Sequence, residues 1–303
     1  MTEPLIFKDK DSLLRLTLMG GQARALLART TRLTQEAADI HQASDVAACA
    51  MGRLLSGCAM MNGLSKDSAQ RLTVTVSGNG AGGKMTCGAT DNKLKIAVEH
   101  PQAEIPPLAD GRQDVARFVG RDGNLVVVRD QGKGEPFTSV SKLISGELGE
   151  DFASYFSVSE QIPSLVALGC LNQHGTVLSA GGILIQALPG CEDSTISALE
   201  LRIPIFAGIS REIYDRSLME LSTAWFSNME MRVLGEEALF LRCDCSREKM
   251  YRALNALGRK ELEEIRDSGE ATRMTCHFCR RERVFDSGDV AKLLKGEADS
   301  GTD

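Results

Sequence analysis

Four of the nine cysteines form two close pairs near one end of the chain, Cys243-Asp244-Cys245 and Cys276-His277-Phe278-Cys279, with thirty residues between them. Nothing else in the sequence restricts the fold as tightly. A spacer that brings the pairs together sets four thiols around one point, each pair supplying one edge of a tetrahedral metal site. Four thiolates leave no open coordination position, so such a metal is structural and not a catalyst. The spacer suits the task. Ser246 is placed to cap a helix in which Met250, Leu254 and Leu257 share a face, and Gly258 is placed to end it. KELEEIRD gives a second short helix, stopped at Ser268-Gly269, and EATRMT and RRERVF flank the second pair as arms of a β-hairpin with CHFC as its knuckle. Ser287 is placed to cap a last helix.

A unit of roughly 50 residues has too little core to be secure alone, so a bound metal would supply much of its folding energy. The expected occupant is one zinc ion per chain, held by Cys243, Cys245, Cys276 and Cys279. An iron–sulfur cluster or four ordinary cysteines fit the spacing less well. A thioredoxin-like role for CHFC is disfavoured, because that motif opens a helix and this one sits on a hairpin. Residues i and i+2 of an extended chain lie roughly 6.6 Å apart at Cα, near the upper limit for a disulfide. A Cys243–Cys245 bond therefore needs a bent backbone, and strained bonds of that kind are reducible. Oxidation within each pair would expel the metal and leave two very small loops, which constrain almost nothing. The unit would lose its long-range cross-link and unfold.

Cys49, Cys58, Cys87, Cys170 and Cys191 are scattered singly and are each expected as a small core residue. An odd total does not suggest a secreted disulfide framework. The first twenty residues carry Glu3, Lys8, Asp9, Lys10 and Asp11 and lack the apolar run of a secretory signal, and no uncharged stretch is long enough to span a bilayer. The cytoplasm is the expected compartment. A net charge of −6 and a pI near 5.4 argue against general binding to nucleic acid or anionic membranes.

Upstream, residues 34–62 read as one or two packed helices, and Arg71–Gly78, residues 84–99 and Gly123–Gln131 as strands. Ser139–Gln161 reads as a short strand and a helix, and IPSLVALGCLN with VLSAGGILIQALPG as a buried hairpin turning at Gly175. Irregular alternation with hairpins gives an α+β class with mixed or antiparallel sheets. The domain reading is an α+β core at 1–190, a helical linker at 191–240 broken at Pro204, the zinc domain at 241–294 and a tail at 295–303. GNGAGGK at 78–84 nearly spells a phosphate loop, but Met85 stands where a magnesium-binding Ser or Thr is needed, and a hairpin turn is the better reading. His41, His100, His174 and His277 are too dispersed for a triad and are expected in surface or capping roles.

The cysteine segment, with Cys243-Asp244-Cys245-Ser246-Arg247-Glu248, Cys276-His277-Phe278-Cys279 and Phe285, resembles the 33-kDa heat-shock protein family of redox-regulated chaperones. Gly149–Ser164 and Ala180–Gly190 resemble two further landmarks of that family, so the likeness extends over most of the chain. The resemblance implies an ATP-independent holdase, not an enzyme, inactive while reduced and zinc-bound. It further implies that oxidation forms Cys243–Cys245 and Cys276–Cys279 disulfides, releases zinc, loosens the linker and exposes apolar surface to unfolding client proteins, with a homodimer as the active form. Leu199, Ile203, Ile205, Phe206, Leu218, Trp225 and Phe226 make that linker sticky if unmasked.

The alternative is a zinc-ribbon-type binding module, associated with RNA. Residues 241–290 carry eleven Lys or Arg against ten Asp or Glu, which disfavours a phosphate-tracking surface, while Arg280, Arg281 and Arg283 form a small basic cluster. An enzyme with a structural zinc tail comes third, for want of a catalytic constellation.

Overall fold

The computed structural model describes residues 10–65 and 67–296, so the expected tail at 295–303 lies outside the described residues beyond Gly296. The chain divides into two compact units, Met1–Arg242 and Cys243–Asp303. The first runs β1 (Ser12–Leu18), β2 (Ala23–Arg29), α1 (Thr31–His41), α2 (Asp45–Gly63), β3 (Arg71–Gly78), β4 (Lys84–Thr90), β5 (Lys93–Val98), α3 (Val115–Val119), β6 (Gly123–Asp130), β7 (Phe137–Lys142), α4 (Gly149–Val158), β8 (Ser164–Gln173), β9 (Thr176–Ala187), α5 (Asp193–Glu200), α6 (Ile209–Asp215), α7 (Leu218–Phe226), β10 (Arg232–Ala238) and β11 (Phe240–Leu241). The second holds α8 (Arg247–Leu254), α9 (Arg259–Ser268), β12 (Thr272–Thr275), β13 (Glu282–Phe285) and α10 (Ser287–Leu294).

The expected α+β class is what the chain adopts. One antiparallel sheet has the order β10-β1-β2-β9-β8; the other has the order β11-β5-β4-β3-β6-β7 and is antiparallel except where β11 joins β5. Between them lies α2, with fifteen of its nineteen residues buried. A helix apolar on all sides belongs in an interior. Sheet residues Leu13, Leu26 and Leu184 from one side and Val74, Cys87, Ile96 and Val127 from the other share a core with it. The GNGAGGK segment is the β3–β4 turn, as expected.

Strands β1, β2 and β9 are buried on both faces, which is why they read as near-continuous apolar runs. Leu14, Leu16, Leu18, Leu27, Ile183 and Ile185 point away from α2 into a second core. The segment expected as a helical linker supplies the rest of that core: Leu199, Phe206, Ile209, Ile213, Leu218, Leu221, Trp225 and Phe226. Phe206 and Trp225 meet edge to face with centroids 5.1 Å apart. Residues 191–240 thus cover a sheet face and then return as β10, paired with β1. The sequence did not show that strand, because β10 is an edge with no fully buried residue and carries little alternation.

Helix α6 is seated by polar hooks from the sheet. Arg29 of β2, only 8% exposed, donates from Nη2 to the carbonyl of Ile213 at 2.7 Å and to that of Arg216, at the end of α6. The Ser179 hydroxyl of β9 donates to the Ser210 carbonyl at 2.6 Å. Gly169 and Gly181 are cross-strand partners beneath this helix. A Cβ on Gly169 would stand 2.8 Å from the Ser210 nitrogen, and one on Gly181 2.6 Å from Ile213 Cδ1. The glycine that interrupts the β9 apolar run is therefore the footprint of α6.

At the other end of this cover Asp11, 4% exposed, accepts hydrogen bonds from the backbone N–H groups of Arg32 (3.2 Å) and Leu33 (2.6 Å), and its carbonyl accepts from Leu239. Burial outweighs these bonds and the nearby Arg29 and Arg32, and raises its pKa from 3.8 to about 6. A folded-state pKa above the unfolded one means that the native state binds the proton more tightly, so this contribution is present at low pH and is lost as pH rises through about 6. Relative to Asp11→Asn, the wild-type chain is expected to lose on the order of 2–3 kcal/mol between pH 4 and pH 7. Paired urea titrations at several pH values check this; a pH-independent difference would contradict it.

Among the described residues no helix is long and apolar enough to cross a membrane.

Candidate metal centre

Cys243 and Cys245 lie on an extended segment ahead of α8, whose N-cap is Ser246, accepting from the Lys249 N–H at 3.2 Å. Gly258, with φ of 86°, ends the 3-10 turn after α8 and opens α9, which stops at left-handed Gly269. The β12–β13 hairpin then carries Cys276 and Cys279 on its turn, closed by Cys276 N–H to the Arg281 carbonyl and Arg280 N–H to the Cys276 carbonyl, both at 2.9 Å. The sequence-based elements are therefore present, with two differences. Leu257 is 44% exposed and does not join the face of Met250 and Leu254. The cap of α10 is Asp286, not Ser287, because Asp286 and Asp289 each accept the other's backbone N–H, a reciprocal pairing a serine one position later does not make.

Folding of the spacer brings the four sulfurs of Cys243, Cys245, Cys276 and Cys279 within 4.8 Å of one another. Cys243 and Cys276 Sγ atoms are 3.6 Å apart, and those of Cys245 and Cys279 are 3.3 Å apart. A tetrahedral ion with metal–sulfur bonds of about 2.3 Å needs sulfur–sulfur edges of about 3.8 Å, so this donor set fits one.

Electrostatics lead to the same place. Burial, with the adjacent Cys276 thiol adding to it, pushes the Cys243 thiol up to about 11, and burial and the surrounding thiols push Cys245 higher still. Burial also acts against the Cys276 thiolate, but the Cys279 and Phe278 N–H groups donate to its sulfur and hold its pKa below the usual thiol value. The Cys276 sulfur is prepared as an anion while those of Cys243 and Cys245 resist ionisation. A divalent cation resolves that conflict by neutralising the charge and replacing the protons.

Around the sulfurs, among the described residues, the unit buries Met250, Tyr251, Leu254, Leu262, Phe285 and Val290. Arg247 reinforces this small core: its guanidinium lies 4.5 Å over the Phe285 ring, donates to the Val284 carbonyl at 2.8 Å and pairs with Asp289 at 2.7 Å. Both side chains of that pair are about 15% exposed (14% and 15%), so the pair is shielded from solvent. Arg247→Ala is expected to destabilise this unit by on the order of 2–4 kcal/mol, since it strands the Asp289 carboxylate. Thermal unfolding followed by Tyr251 fluorescence checks it, and an unchanged midpoint would count against this role.

Of the remaining cysteines, three are the small core residues that the sequence led us to expect and two are not. Cys49, Cys58 and Cys87 are buried, while Cys170 on edge strand β8 and Cys191 in the loop after β9 are half-buried. Four of the five meet in twos, Cys49 with Cys170 and Cys58 with Cys87. No spacing rule reveals contacts over such separations. His100, His174 and His277 are exposed as expected; His41 is buried instead, its Nε2 3.0 Å from the Ile96 carbonyl, because α1 packs that turn against β5.

A family model described as Hsp33 protein matches residues 11–286. The 33 kDa chaperonin of Clostridium botulinum (strain Langeland) is 36% identical over 289 residues, covering 94% of this chain and 98% of that protein. The 33 kDa chaperonin of Clostridium perfringens (strain SM101) is 34% identical over 297 residues, covering 97% and 94%. A crystal structure of the 33 kDa chaperonin from Thermotoga maritima superposes with a TM-score of 0.86 at 31% identity, covering 95% of this chain and 98% of the other.

Proposed function

The chain belongs to the Hsp33 family, and on that premise we propose that it is a redox-regulated, ATP-independent holdase of the cytoplasm, idle while its four C-terminal thiols are reduced and hold one zinc ion. The observation that carries this reading is the convergence of Cys243, Cys245, Cys276 and Cys279 on one point. When bound, zinc would supply a cross-link between the two ends of the spacer and offset half the charge of the four thiolates.

Oxidation removes that cross-link. Each disulfide forms as one hydrogen peroxide molecule accepts two electrons from a pair of thiolates and two protons from solvent, and leaves as two waters. The proposed pairing is Cys243–Cys245 and Cys276–Cys279, and bonds that close loops so short restrain almost nothing. The closest thiol contacts in the reduced state run across the pairs, Cys243 to Cys276 and Cys245 to Cys279. The segment must therefore rearrange as it oxidises. Disulfides across the pairs would keep the spacer tied and the switch shut, so peptide mapping of the oxidised chain separates the two outcomes.

Six buried side chains do not hold this unit folded without the cross-link. Just ahead of Cys243, β11 is two residues long and β10 buries no residue fully, so the chain from 232 to 242 is lightly held and is the first to fray. We accordingly treat 1–190 as the core, 191–240 as a releasable cover and 241–294 as the sensor. Release of the cover opens two apolar faces, the helices' own side chains and the β1-β2-β9 surface of Leu14, Leu16, Leu18, Leu27, Ile183 and Ile185. Such faces bind unfolding clients, and the same faces bring two oxidised chains together as a homodimer.

The test compares reduced, peroxide-treated and re-reduced protein in suppressing light scattering from a heat-unfolding client enzyme without nucleotide. Protection by the oxidised form alone, reversed by reductant, is expected. Equal behaviour of all three forms would overturn the reading.

A further inference from the structure

Cys49 and Cys170 are 121 residues apart in sequence yet share one site between α2 and edge strand β8. The Cys49 thiol donates to the Cys170 carbonyl at 3.7 Å. Close approach is possible because Gly52, one turn beyond Cys49 on α2, has no side chain: a Cβ there would lie 3.1 Å from the Cys170 sulfur. The site differs from the second core pair in one respect. Cys170 is half-buried, whereas Cys58 and Cys87 are both enclosed.

We propose that Cys49 and Cys170 form a second oxidisable pair, a core disulfide that pins α2 to β8 under sustained peroxide stress. Cys170, the less enclosed residue of the two, meets the oxidant first. Cys170 takes one oxygen from hydrogen peroxide to give a sulfenic acid and one water; the Cys49 sulfur then displaces that oxygen as a second water, and the sulfur–sulfur bond forms. The bond closes a long loop through the whole first unit, the kind of cross-link that stabilises most. Its effect is opposite to that of the C-terminal thiols: it braces the first core while the sensor loosens. The adjacent Cys49 thiol and burial together raise the Cys170 pKa, which makes the reaction slow. It therefore follows oxidation of the C-terminal thiols.

The experiment is a time course of the full-length reduced protein in hydrogen peroxide. It is quenched by alkylation, digested without reductant and mapped by mass spectrometry, and released metal is read in parallel with a chromogenic chelator. A crosslinked peptide pair containing Cys49 and Cys170 is expected to accumulate after the C-terminal thiols are consumed, while Cys58 and Cys87 remain alkylatable only after unfolding. If Cys170 stays a thiol, or advances to sulfinic acid with Cys49 still reduced, the proposal is wrong. Either result is read independently of metal release and client protection. In the same full-length chain, Cys170→Ala tests the consequence: after oxidation its first unit should unfold at lower urea than the oxidised wild type, and at the same urea when both are reduced. Equal midpoints after oxidation would show that no brace forms.

Discussion

Cys276→Ser is expected to leave residues 243–294 unfolded and the chain without bound zinc, while the core around α2 keeps its structure. Structural zinc sites contribute on the order of 10–16 kcal/mol of folding free energy at neutral pH. A core of six buried side chains cannot replace that. Cys276 is the most severe of the four positions to alter. Its sulfur accepts the Cys279 and Phe278 N–H groups, and its backbone closes the knuckle turn with Arg281 and Arg280. The core around α2 draws on no residue beyond Leu241 and is insulated from this loss, whereas the cover that completes the second core is expected to loosen with the sensor. Zinc content and the dispersion of amide signals from 243–294 check both halves. A variant that retained one zinc and a folded C-terminal unit would contradict the assignment.

Arg29→Met should loosen the helical cover without touching any cysteine. The substitution removes two donors from the end of α6 and leaves the Ile213 and Arg216 carbonyls unsatisfied against the sheet. A loss of about 2–4 kcal/mol is expected from breaking buried charge-assisted bonds of this kind. It falls on the cover because α6 is held by Arg29, by Ser179 and by contact with Gly169 and Gly181. A change of about 2–3 kcal/mol in local opening raises the population of the open cover by roughly 30- to 150-fold, since each 1.4 kcal/mol is tenfold. Limited proteolysis within 191–231 should accelerate accordingly, and the reduced variant should suppress client aggregation that the reduced wild type does not. Unchanged protease resistance with a normal urea midpoint would show that Arg29 is not a hook.

The C-terminal unit was legible in the sequence because its signals are local: cysteine spacing, a serine cap, glycine stops and a four-residue hairpin arm on either side of a knuckle. The α+β class was legible for the same reason, from hairpins and a small-residue helix. What stayed hidden is non-local. Strand β10 binds β1 more than two hundred residues earlier, with its register interrupted between Arg15 and Leu16, and an exposed edge strand writes no alternation into its sequence. The helical stretch after Pro189 looked like a linker because its apolar residues find their partners on β1, β2 and β9 and not within itself. Gly169 and Gly181 read as interruptions until α6 is seen to lie on them. Arg29 carried no mark of a role, since its acceptors are backbone carbonyls, which any sequence supplies.

The central claim is that one chemical event at four thiols both frees zinc and opens the client-binding surface. Zinc release and client protection followed in the same peroxide-treated sample test it most directly. The account predicts that about one zinc leaves per chain, consistent with a single four-sulfur site, and that protection never precedes zinc release. Protection that arises while zinc is still bound, or complete zinc release with no protection, would contradict it.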